Sequence, residues 1–82
     1  MKTNVLKINY IYKNYDADLG SEWILEVTSD DSEIDGYRCA TDVWDMPVGT
    51  PGLRDALANA AGWILFDEFG ITPDDLSVFR PK

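Results

Sequence analysis

Eighty-two residues, 45% of them apolar, make one domain near the lower size limit for a self-sufficient hydrophobic core, and a chain too apolar to stay disordered. The formal charge of −8 is uneven: residues 14 to 79 hold all fifteen acids and, as cations, only Arg38 and Arg54, a net of −13. Direct binding to DNA or RNA needs a positive footprint, so it is excluded and a basic partner is favoured.

Residues 4–12 alternate, with Leu6, Ile8, Tyr10 and Tyr12 on one face and Val5, Lys7, Asn9 and Ile11 on the other, which predicts a first strand with the first set inward. Residues 14–21 are rich in turn formers and predict a hairpin loop. Residues 22–28 predict a second, antiparallel strand with Trp23, Leu25 and Val27 inward and Glu22, Ile24, Glu26 and Thr28 outward. An acidic turn over 29–36 carries Asp30, Asp31, Glu33 and Asp35. A third strand follows over 37–44, with Tyr37, Cys39, Thr41 and Val43 facing one way and Arg38, Ala40, Asp42 and Trp44 the other.

Pro47 lacks a ladder donor, so residues 45–49 read as a crossover. Residues 50–70 carry the start and stop of a helix: Thr50 as cap, Pro51 in the first turn, and Gly70 as the left-handed stop with Ile71 folding back in a Schellman close. Leu53, Ala56, Leu57, Ala60, Ile64 and Leu65 recur at helical spacing and predict the buried face. Small residues Ala56, Ala60 and Ala61 let it sit close to a sheet, Trp63 and Phe66 or Phe69 cover its edges, and Gly62 marks a close backbone approach. Thr72 to Asp75 repeat the cap-then-proline signal for a short helical turn, and residues 76–80 suit a short last strand. The expected fold is α+β: a small antiparallel sheet in the order β-β-β-α-β, with one helix packed on one face.

Catalytic chemistry is poorly provided for. The chain has no histidine, and its one thiol, Cys39, falls at a core-facing strand position where thiols are inert. The consecutive pairs Asp30–Asp31 and Asp74–Asp75 point apart, and the GTPG at 49–52 lacks the lysine and spacing of a phosphate loop. Asp31, Glu33, Asp35, Gly36 and Asp42 match the spacing of a calcium loop, but Arg38 stands where an apolar residue belongs and strands flank the segment instead of helices. No enzyme activity, metal or cofactor is expected. A lone cysteine favours a reducing cytoplasm, no secretion leader is read, and the longest nearly uncharged run, residues 56–66, is far short of the ~20 residues that a membrane span needs.

What remains is acid with aromatic and sulfur groups set into it. Asp42, Trp44, Asp45 and Met46 cluster at the end of the third strand; Asp30, Asp31, Glu33 and Asp35 decorate its other end; Glu26 lies on the outer face of the second strand. Each alone reads as a solvated surface. Together they make a partner-binding surface in which carboxylates imitate phosphates and Trp44, Met46 and Tyr15 anchor, with Asp42 and Asp45 both expected to be free of structural duty. By size and charge the expected class is a small phage- or plasmid-type inhibitor, in the manner of anti-CRISPR proteins or nuclease inhibitors, acting on a basic protein or nucleoprotein complex. The alternative is a homodimeric assembly subunit that covers a strand edge or Trp44.

Overall fold

Alternating side-chain patterns over three segments of the sequence and a 3.6-residue period over a fourth correspond to β1 (Val5–Asn14), β2 (Ser21–Ser29), β3 (Arg38–Trp44) and α1 (Leu53–Phe69). The computed structural model describes residues 5–16, 18–72 and 79. The strands form an antiparallel sheet in the order β1-β2-β3, and α1 packs on one face, a small α+β fold. The helix is the last described element. The strand expected over 76–80 lies outside the described residues apart from Phe79, and so does the turn expected at 72–75 beyond Thr72.

The inward face is the expected one in large part: Tyr12 lies on it against Trp23 but is exposed, and the Leu6 side chain lies outside the described residues. Ile8, Trp23, Leu25, Val27 and Val43 are buried against Leu53, Leu57, Ala58, Ala61 and Leu65 of the helix, with Phe79 in the same core. Val5, expected to face outward, is buried instead, because the β1–β2 register slips between Val5 and Lys7 and reverses the phase of the alternation. The helix turns on its axis relative to expectation: Ala58 and Ala61 are buried while Ala56, Ala60 and Ile64 are half-buried. Gly62 is approached by a ring and not by backbone. A Cβ there would lie 3.6 Å from Phe79, an ordinary contact.

Both helix ends show how the local chemistry resolves. Thr50 is not the cap; its hydroxyl donates to the Pro47 carbonyl (2.6 Å), and the helix begins after Gly52 in a left-handed conformation (φ 83°) with no side-chain cap. At the other end Gly70 is left-handed as expected, its N–H reaching the Phe66 carbonyl at 2.8 Å. The Ile71 N–H in turn donates to the Leu65 carbonyl (3.3 Å) and its side chain packs on the core, so Ile71 folds back on the last turn as expected of a Schellman-like close.

On the face away from the helix, Ile24 is buried between its cross-strand neighbours Ile11 and Ala40. Lys13 stands opposite Glu22, and Arg38 opposite Glu26. The free face is therefore charged at its ends and apolar in the middle.

Candidate functional site

The acids sort to two ends of the sheet. At one end the β1–β2 hairpin meets the chain leaving β3; at the other, the β2–β3 turn meets the last turn of α1, where Tyr37 packs edge-on against Phe69 with ring centroids 5.0 Å apart. With seven residues at ~3.3 Å each, β3 separates the two ends by roughly 20 Å.

Within each end, hydrogen bonds divide the carboxylates that build the fold from those that do not. Asp45 builds it. Its Oδ1 accepts the Ser21 N–H (3.1 Å), its own N–H donates to the Ser21 carbonyl (2.9 Å), and its backbone is left-handed (φ 56°). Contrary to expectation, this acid is structural. Asp31 accepts from the Glu33 N–H (3.0 Å) and Asp35 from the Ser29 N–H (2.9 Å), so the acidic turn is held in part by its own carboxylates. Asp16 likewise accepts from the N–H groups of Asp18 and Leu19. Among the described residues no three metal-binding side chains gather to hold an ion.

Asp18, Asp30, Glu33 and Asp42 are exposed, and their carboxylates have no hydrogen-bond or ion-pair partner among the described residues. Half-buried Glu26 stands opposite Arg38 in the strand pair. Asp42 is set apart by its backbone. Residues 22–24 of β2 face the longer stretch 40–44 of β3, and Asp42 sits in this bulge with φ 62°, a conformation that aspartate tolerates better than most residues. Thr41 makes good the interrupted ladder: its hydroxyl donates to the Trp23 carbonyl (2.8 Å) and accepts from the Val43 N–H (3.3 Å).

Beside Asp42, Trp44 is 45% exposed and lies against Tyr15, ring centroids 6.2 Å apart. The Tyr15 hydroxyl donates to buried Glu22 at 2.5 Å. That hydrogen bond, chiefly, raises the Tyr15 pKa, and the carboxylate fixes the ring that supports Trp44. Met46, expected as an anchor, turns the other way: its side chain packs on the Trp23–Leu57 cluster and its carbonyl accepts the Trp23 indole N–H (2.7 Å). Of the nine residues singled out for partner binding, Asp42 and Trp44 thus share one end with Tyr15, Asp30 and Glu33 mark the other, Glu26 lies between them opposite Arg38, and Asp31, Asp35, Asp45 and Met46 serve the fold.

Cys39 is half-buried against the core. Burial pushes its pKa up, reinforced by the nearby carboxylates Glu68 and Asp42 and opposed by a hydrogen bond with Tyr37, which leaves it a thiol at neutral pH. No helix among the described residues is long and apolar enough to cross a membrane. No protein-family model, curated protein or solved structure matches this chain.

Sequence reasoning missed one feature. Trp63 and Phe66, expected to cover the sheet edges, are 69% and 51% exposed on the outer side of α1. Their i, i+3 spacing was visible, but alanines at neighbouring positions made several orientations of the helix equally apolar.

Proposed function

We propose that this chain is a small acidic inhibitor that works in the cytoplasm by docking the Asp42–Trp44 end of its sheet into a basic, nucleic-acid-binding groove of a target protein or nucleoprotein complex. It binds no nucleic acid itself. The observation that carries this reading is the exposed Trp44 ring, propped on Tyr15, next to an Asp42 carboxylate that has no partner among the described residues and is turned outward by a bulge. A fold gains nothing from such an acid, whereas a phosphate-binding groove would be matched by it, and a supported aromatic ring supplies the apolar anchor that charge alone does not. Its small size and net charge of −8 support an anti-CRISPR-like or nuclease-inhibitor-like role of the kind phages and mobile elements encode.

The test is retention of target from a bacterial lysate on tagged protein, washed with rising salt and competed with DNA or RNA. Asp42→Asn keeps the backbone tolerance and removes the charge; with Trp44→Ala it is expected to release the target at lower salt. Asp30→Asn with Glu33→Gln, at the far end, leaves retention unchanged. If the far-end pair loses the target and the Asp42 pair keeps it, the docking end has been misassigned; if neither wild type nor variants retain a nucleic-acid-binding protein, the inhibitor reading fails.

A further inference from the structure

Along the flank of α1, from the core edge at Ala58 and Gly62 out to the exposed Trp63 and Phe66 and closed by Ile71, runs a groove of about 240 Å³ that the reading above does not use. A helix with one side on a core normally turns polar groups to water; α1 turns Trp63 and Phe66 there. The charge of the same region is also unusual. The last turn carries Asp67 and Glu68 and no basic residue, at the helix end where the macrodipole is negative and acids are unfavourable. Asp67 lies four residues after Trp63, so its carboxylate and the indole are neighbours on the helix surface.

From these observations we infer that the Trp63–Phe66 groove is a second docking surface, made for an amphipathic basic segment of another protein. An apolar side chain of that segment fills the groove, and a lysine or arginine lies over the Trp63 ring beside Asp67. The cation gains the ring's negative face and relieves the excess of acid at the helix end. A second copy of this chain fits poorly. It would set one net charge of −8 against another, and of the described cations Lys7, Lys13 and Arg38 belong to the sheet and Arg54 to the opposite end of the helix. This inference is independent of the Asp42–Trp44 proposal.

Titration calorimetry with two synthetic peptides of equal positive charge, one of lysine and leucine and one of lysine and serine, tests it. Wild type is expected to bind the Lys/Leu peptide about tenfold more tightly or better, and Trp63→Ser with Phe66→Ser to remove that preference, weakening the Lys/Leu peptide far more than the Lys/Ser peptide, which loses only the cation–ring contact. Both side chains are exposed, and circular dichroism verifies that the variant keeps its helix. Asp67→Asn weakens both peptides, and Asp42→Asn leaves the preference intact. Equal affinity for the two peptides, or a preference that survives the double substitution, overturns the inference. So does a concentration-dependent dimer in sedimentation that the double substitution dissolves, since that assigns the surface to a second copy.

Discussion

At Gly20 the chain has no room for a side chain. Its backbone is left-handed (φ 79°), and a Cβ would lie 2.5 Å from Oδ1 of Asp45, the carboxylate that holds the end of the sheet together. Gly20→Ala is therefore expected to lower stability by about 1–3 kcal/mol, from backbone strain and displacement of that carboxylate, measured as a lower urea midpoint with unchanged slope. A substitution without cost would mean that Asp45 can move aside, and its structural role would fall. The glycine was readable as a turn former from its neighbours. Its partner was not, because Asp45 stands far along the chain and nothing in local spacing distinguishes a carboxylate that reaches back to Ser21 from one that meets water. The same gap explains Met46, whose place depends on where the Trp23 indole finds an acceptor.

The helix was legible in its existence and its stop, and less so in its start and its rotation. Gly70 ends it for a local reason, the freedom of glycine at positive φ. Thr50 has the side chain of a cap, but its hydroxyl finds the Pro47 carbonyl in the preceding turn, an alternative that tertiary closure of the crossover decides. Rotation is set by packing, since Ala56, Ala58, Ala60 and Ala61 present nearly equal surfaces and the sheet selects among them. Gly62 is the residue where this has a measurable consequence. An added Cβ meets the Phe79 ring at ordinary van der Waals distance, and alanine is favoured over glycine in a helix by up to about 1 kcal/mol. Gly62→Ala is expected to stabilise the chain by about 0.5–1 kcal/mol and raise the melting temperature by several degrees. Destabilisation instead would show that Phe79 packs too tightly to yield, and that the glycine is a steric requirement after all.

Across the whole molecule, the arrangement of charge follows from topology: a three-stranded meander must place the two acidic turns at opposite ends of β3, and that much the order of elements reveals. The balance of charge on a −8 chain makes any further negative charge costly, through self-repulsion and through the loss of neutral groups that the fold shelters. Tyr37 is the clearest such group. Burial, with a hydrogen bond to Cys39 and the Glu68 charge behind it, raises its pKa from 10.0 to about 12, and burial raises Tyr10 as well, its hydroxyl donating to the Phe79 carbonyl. A folded-state pKa above the unfolded value means that the fold favours the neutral phenol. The stability this contributes is complete below pH 10 and is lost as pH rises from 10 toward 12. The urea midpoint is therefore expected to hold steady as pH rises from neutrality to about 9, to slip as the Cys39 thiol, also raised from 9.0, begins to matter, and to fall steeply above 10. Tyr37→Phe, which cannot ionise, makes that fall shallower, although it loses the hydroxyl bond at every pH. A variant that falls as steeply as wild type would place the alkaline loss in general charge repulsion, and rising salt would then abolish it in both proteins, whereas loss from a sheltered phenol persists in salt because the proton, not the field, is what the fold has given up.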